Sequence, residues 1–353
     1  MSPVPGLPWL NPHSRYSEIM PVSLWRAISE QQPGPKWAGL FHEYWPDYQR
    51  WWLREGESAR PTYGESRRAL QRHMPEIVGL YDELCELAGG GDHAARFLSF
   101  YCPPAYLSGC SQAVWPGAEP VLVRNYDYNP DAFDSLILRT SWQGRQVMGV
   151  SDGLWGLVDG VNDAGLAISL TFGGRRIVGE GFGVPLILRY VLQTCETTEE
   201  AGQALSRVPT HMSYNVTVLD AKRKYLTAMM APDRPAVITH AAVATNHQET
   251  VEWVHHARFT ATVERERFLL QRLTLHVDPE EKFIGAFLKP PLYSTAYSEG
   301  FGTLYTAVYK PKQGRMEIHW PGVVWPFSFK RFQEGLRKVH TPEPMKTGLP
   351  IKR

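Results

Sequence analysis

The sequence has no long apolar run, no excess of one charge and no paired cysteines, and each lack closes off a class of function. Apolar runs stop at about strand length, short of the roughly 18 residues that a membrane-spanning helix needs, so a membrane partner is not expected. Lysine and arginine total 37 against 36 aspartate and glutamate, for a net charge of +1. No basic field is available to hold a phosphate backbone, and nucleic acid is not an expected partner. Cys85, Cys102, Cys110 and Cys195 form neither a C-x-x-C pair nor a zinc spacing. The opening MSPVPGLPWLNPHSRYSE has no basic segment followed by an apolar one, which reads as a cytoplasmic protein without a secretory leader. Disulfides are then not expected, and the sequon at Asn215-Val216-Thr217 is an accidental match. G-x-G-x-x-G, G-x-S-x-G and H-E-x-x-H are missing too. His255 and His256 are adjacent, so they point apart. Neither a metal nor a cofactor is expected.

What is present is an ordinary globular composition, 43% hydrophobic and 21% charged over 353 residues, enough for one large domain or two smaller ones. The first hundred residues read as mainly helical. The aromatic stretch WAGLFHEYWPDYQRWW has the spacing of a helix packed on a core, with a ligand site as the alternative. Leu70, Met74, Ile77, Tyr81, Leu84 and Leu87 share a helical face over 65–88. Pro75 starts a second segment or kinks the first, and Gly89-Gly90-Gly91 ends it. After Cys110 the texture changes to short strands: PVLVR, SLILRT, RQVMGVS and GLAISLTF. Helices are expected over 184–195 and 198–207, the second opened by Thr197 or Thr198 with Glu199 and Glu200 in its first turn. The strands YNVTVLD, YLTAMM and AAVAT, a helix over 260–275, and the strands TLYTAVYK and RMEIHW follow. Helices between strand sets suit a layered α+β fold. The segment GGRRIVGEGFG reads as a mobile loop lining a pocket.

Cys85 and Cys195 sit in apolar helical contexts and read as inert thiols, and Cys102, before Pro103-Pro104, reads as structural. Cys110 alone has a small, polar setting, YLSGCSQAVW. A nucleophilic thiol needs a base and donors for the oxyanion it creates. No histidine occupies an obvious partner motif. The alternative base is the residue's own α-amino group, which titrates near 8 in an unperturbed chain. It exists only if the chain is cut before Cys110. Gly109, without a Cβ, leaves its carbonyl open to thiol attack. Arg124 and Asp127 follow Cys110 closely, and a plain structural ion pair between them is the rival reading.

The sequence resembles the N-terminal-nucleophile (Ntn) hydrolases, within them the isopenicillin N acyltransferase-like branch of autoproteolytic acyltransferases and hydrolases. The likeness is carried by SGCSQAV, VLVRNYDY, GVNDAGLAISLTF, LRYVLQTCETTEEA, YNVTVLD, ATNHQ and GTLYTAVYKP, from about residue 106 to 325. It implies a four-layer αββα sandwich with a mainly helical N-terminal segment. It also implies self-cleavage at Gly109-Cys110 into segments 1–109 and 110–353 that stay associated. Cys110 would be the nucleophile. Asp127 would hold the new α-ammonium and Arg124 would favour thiolate. Asn246 would donate to the oxyanion, with a backbone donor from the segment around Thr171. A late arginine would be Arg265, with Arg267 competing. The implied reaction is an S-acyl transfer from an amide or thioester donor to an amine or water. The chain departs from the penicillin-forming pattern at Glu299, where that pattern has serine. Amide hydrolysis alone and a non-catalytic binding scaffold are the rival functions.

Overall fold

The computed structural model describes residues 22–106, 108–274, 278–299 and 301–340. The described chain begins with a strand that periodicity did not reveal, β1 (Val22–Glu30). Four helices follow: α1 (Pro35–Trp52), α2 (Tyr63–His73), α3 (Val78–Leu87) and α4 (Asp92–Leu98). Thr62 and Glu65 close a capping box on α2. Pro75 does start a new segment, a 3₁₀ turn that leads into α3. Trp37, Phe41, Tyr48 and Trp52 of α1 are buried, so most of the aromatic stripe is core, as expected.

The strands β2 (Gly109–Trp115), β3 (Val121–Tyr128), β4 (Leu136–Thr140), β5 (Val147–Asp152), β6 (Gly156–Asn162) and β7 (Leu166–Phe172) come next. The helices α5 (Val184–Thr194) and α6 (Thr198–Arg207) fall where expected, and Thr197 and Glu200 cap α6 reciprocally. Then come β8 (Tyr214–Asp220), β9 (Tyr225–Ala231), β10 (Arg234–Thr239) and β11 (Val243–Ala244). The helix expected over 260–275 is α8 (Thr262–Thr274); a further helix, α7 (Val254–Phe259), precedes it, and Ala261 turns the chain between the two at a φ of 48°. The last elements are α9 (Glu280–Phe287), β12 (Thr295–Ala296), β13 (Phe301–Lys310), β14 (Arg315–Trp320), β15 (Val323–Ser328) and β16 (Gly335–His340).

The strands form two sheets. One runs β10-β9-β8-β7-β6-β5-β4-β1-β16; the other runs β11-β2-β3-β13-β14-β15, with β12 beside β13. The sheets pack face to face across β2, β3 and β13 against β6, β7 and β8. Polar ties cross between them: Gln112 Nε2 donates to Asn215 O (3.1 Å), and Ser169 Oγ donates to Gln112 Oε1 (2.5 Å). Helices α5 and α6 cover the outer face of the first sheet, and α8 and α9 cover the second. A separate apolar core of Val121, Val123, Leu269, Phe283, Phe287 and Val308 holds the latter pair down. The architecture is therefore a four-layer αββα sandwich. The N-terminal segment is not an independent helical unit, since β1 lies between β4 and β16 in the first sheet. Among the described residues no helix is long and apolar enough to cross a membrane.

The glycine-rich segment 173–183 is pinned rather than mobile. Gly179 N donates to His211 O (3.0 Å) and Phe182 N to Pro209 O (2.9 Å). Gly174, at a φ of 70°, presses on the Asn246 carbonyl, where a Cβ would overlap it.

Candidate active site

Strand alternation divides the site. In the β2–β3 hairpin, Cys110 lies opposite Tyr126, Gln112 opposite Arg124 and Gly109 opposite Asp127. Successive side chains of a strand point to opposite faces. Arg124 and Tyr126 therefore point with Cys110 into the gap between the sheets, and Ser111 and Asp127 point out toward α8. Arg124 and Asp127 cannot pair with each other, and they do not.

On the inner face, Arg124 Nη2 donates to Cys110 Sγ at 3.3 Å. Its Nε donates to Leu170 O (2.8 Å), and its Nη1 pairs with Asp159 and donates to Tyr305 Oη (3.0 Å). Asp159 is also bonded by Tyr305 Oη (2.6 Å) and by Tyr309 Oη. Arg124 and Asp159 are both fully buried. A guanidinium in that position stays charged only because the carboxylate and its tyrosines compensate it.

On the outer face, Arg265 of α8 is the hub. Its Nη1 donates to Cys110 O (2.9 Å), Ser111 Oγ (2.8 Å) and Asp127 Oδ2 (3.1 Å). Its Nη2 donates to Asn246 Oδ1 (2.6 Å). The same Asn246 oxygen accepts from Cys110 N at 3.0 Å. Two donors on Oδ1 fix the amide plane, so Nδ2 faces the other way and donates to Phe172 O (3.2 Å). Asp127 accepts from Thr303 Oγ1 as well (2.7 Å). In the intact chain Asp127 reaches Cys110 through Arg265, whereas the direct partner of Cys110 N is Asn246. Arg267 is exposed on α8, so Arg265 is the arginine that the fold brings to the site.

Thr171 is brought near, but its hydroxyl donates to Thr245 O (2.7 Å) and not to the sulfur. It shares this task with Asn215, whose Nδ2 donates to Thr171 Oγ1 (3.2 Å), Thr245 O (3.0 Å) and His247 O (2.8 Å). The sequon asparagine is thus a buried clamp on the strand end that presents Asn246. The other cysteines lie elsewhere, and burial pushes the Cys85 thiol up to about 12. His256 is packed between Trp253 and Phe172, with ring centroids at 4.9 and 5.2 Å.

Burial pushes the Cys110 thiol above its ordinary range, Arg124 opposes this, and the Asp127 charge adds to it. Burial also raises Asp127, against the pull of Arg265. Cys110 has no solvent-accessible surface, and the Phe301 ring closes on Gly109 so tightly that a Cβ there would overlap it. The arrangement has the parts for thiol attack on an acyl carbon. A guanidinium sits at the sulfur, a clamped amide lies beside the backbone of Cys110, and the thiol is buried. Sequence reading missed Asp159, Tyr305 and Tyr309. Asp159 had one visible sign, an acid in the middle of the apolar strand GLVDGVN.

A family model described as acyl-coenzyme A:6-aminopenicillanic acid acyl-transferase matches residues 115–323. The chain belongs to this acyltransferase family. The match starts at the last residue of β2, shortly after Cys110, and includes Arg124, Asp127, Asp159, Asn246 and Arg265. Membership places the chain among the Ntn acyltransferases and amidases. Solved structures similar to it include a Caenorhabditis elegans N-acylethanolamine-hydrolyzing acid amidase ortholog, at 17% identity, covering 57% of this chain and 93% of that one, with a TM-score of 0.42. A variant of the conjugated bile acid hydrolase from Clostridium perfringens is similar at 11% identity, over 68% of this chain and 99% of that one, with a TM-score of 0.42. A penicillin V acylase from Agrobacterium tumefaciens is similar at 15% identity, over 65% and 90%, with a TM-score of 0.41. A search of curated protein sequences found no match.

Proposed function

We propose that this protein is a self-processing cysteine acyltransferase or amidase of the Ntn type. The observation that carries the reading is the shared grip on Cys110: Arg124 at its sulfur, and Asn246, itself held by Arg265, at its nitrogen. In the first reaction the Cys110 sulfur attacks the Gly109 carbonyl carbon. The C–N bond breaks, the nitrogen gains a proton, and a thioester remains. Water then attacks that thioester, leaving a Gly109 carboxylate and returning the thiol. The products are segments 1–109 and 110–353, joined by the shared sheet through β1. The new α-amine can take the thiol proton in the next cycle, which answers the lack of a histidine base.

In turnover, Cys110 would take an acyl group from a small-molecule amide or thioester. The S-acyl enzyme would pass it to an amine or to water. Asn246 Nδ2 and the backbone around Thr171 would stabilise the oxyanion, and Asp127 would set the charge around the amine through Arg265.

Intact-mass analysis of the purified full chain tests this. Two fragments with an unblocked Cys110 amine are expected, and Cys110→Ala should stay a single, inactive chain. Full activity toward acyl donors in an uncleaved protein would refute the reading. Product analysis with and without an amine acceptor separates transfer from hydrolysis.

A further inference from the structure

Self-cleavage of the intact chain needs a proton acceptor other than the one that serves turnover. Before the Gly109–Cys110 bond is cut, the Cys110 nitrogen is an amide, whose lone pair is tied up in the peptide bond. The α-amine that acts as base afterwards exists only in the products.

The contacts of the sulfur narrow the choice. Among the described residues, Cys110 Sγ has two hydrogen-bond partners. Arg124 Nη2 donates to it at 3.3 Å, and the thiol itself donates to Ser108 Oγ at 3.9 Å. A guanidinium has donors only, so Arg124 can hold the sulfur but cannot take its proton. The carboxylates are engaged elsewhere. Asp127 is bonded by Arg265 and Thr303, and Asp159 by Arg124, Tyr305 and Tyr309. Asn246 meets Cys110 at its nitrogen, through an oxygen that already accepts from two donors.

Ser108 stands two positions before Cys110, so in extended chain the two side chains share a face. Its residue is 2% exposed and Cys110 is 0% exposed. A buried thiolate formed ahead of the attack would be costly. Burial raises the Cys110 thiol, and the hydrogen bonds with Arg124 and Ser108 work against that. A hydroxyl both accepts and donates. It can take one proton while releasing another, and so never carries a net charge in the buried site.

We propose that Ser108 is a catalytic residue of self-cleavage, a hydroxyl relay that takes the Cys110 thiol proton as the sulfur attacks the Gly109 carbonyl carbon. This rests on the self-processing reading above and names the group that starts it. The S–C bond forms and the C–N bond breaks. Sγ loses one proton and the Cys110 nitrogen gains one. Ser108 Oγ receives the thiol proton, gives up its own, and ends as the hydroxyl that it was. The role belongs to the intact chain, because the cut creates the α-amine that replaces it.

The test follows the full chain during cell-free synthesis, with samples stopped at intervals and read by intact mass. Ser108→Ala should cleave at least about tenfold more slowly than the parent, and Ser108→Thr, which keeps the hydroxyl, should stay within about threefold of it. Hydroxylamine cuts a thioester and leaves an amide whole. It should release no fragments from Ser108→Ala, since the block precedes the thioester. Cleavage of Ser108→Ala at the parent rate, a Ser108→Thr protein as slow as Ser108→Ala, or fragments released from Ser108→Ala by hydroxylamine overturns the relay and leaves self-processing standing. A parent chain that stays whole removes both. Should Ser108→Ala misfold by circular dichroism, the parent alone decides. A relay moves two protons together, so its cleavage rate should fall along a curve as deuterium oxide replaces water. A straight line, or a rate that deuterium leaves unchanged, overturns the proposal.

Discussion

Arg265 Nη2 donates to Asn246 Oδ1 at 2.6 Å, and thereby fixes which end of the Asn246 amide faces the backbone of Cys110. Without that donor, only the 3.0 Å bond from Cys110 N holds the oxygen side. The amide would then be held by that bond and by the one from Nδ2 to Phe172 O, and the proposed oxyanion donor would be less firmly placed. Arg265 acts through Asn246, so it is a positioning residue.

Arg265→Ala should therefore lower kcat by an amount similar to Asn246→Ala, about 10²–10³-fold, the usual loss of one oxyanion donor, with KM little changed. The double variant should lose clearly less than the two single losses combined, because both remove the Arg265–Asn246 bond. Steady-state kinetics on correctly processed protein, with circular dichroism as a folding check, measures this. Fully additive losses would mean that the two residues act separately.

The Phe301 ring occupies the place where a Cβ on residue 109 would go. Gly109→Ala should destabilise the fold and leave the chain uncut. Adding Phe301→Ala opens the space and should restore stability. If cleavage then returns, steric access was the whole requirement for glycine. If the refolded double variant remains uncut, glycine's backbone freedom matters as well. Fragment mass and denaturant midpoints, read together, decide between these.

Asp159→Asn keeps the size of the side chain but leaves Arg124 as an uncompensated buried charge. A loss of roughly 3–5 kcal/mol in unfolding free energy is expected. Tyr305→Phe removes one hydrogen bond to the same carboxylate and should cost only about 1 kcal/mol. Urea titrations of both proteins provide the comparison. Equal small losses would show that Arg124 finds other compensation.

Burial lowers His256 to about 4, with Arg265 and His255 adding to the effect. The folded state thus favours the neutral ring. The stability this contributes is complete above the ordinary histidine value near 6.5 and is lost as pH falls from there toward 4. The loss should reach roughly 2 kcal/mol by pH 5. His256→Phe, which keeps a ring against Trp253 and Phe172, should flatten that part of the pH–stability curve. A variant with the same acid sensitivity as the parent would place the titrating group elsewhere.

Much of this was legible in the chain itself. Local chemistry fixed the cap at Thr197, the break at Pro75 and the strand character of PVLVR, because those depend on residues a few positions apart. The ion pair between Arg124 and Asp127 that the sequence left open is excluded only by the strand pairing, which puts the two side chains on opposite faces of β3. The choice of Arg265 over Arg267 needed the packing of α8 on the second sheet, since only the face of that helix decides which of them is buried. The Arg124–Asp159 pair, the Asn215 clamp and the placing of β1 between β4 and β16 join residues far apart in sequence. No local pattern encodes such partners. Contacts of that kind form only when the two sheets close on each other.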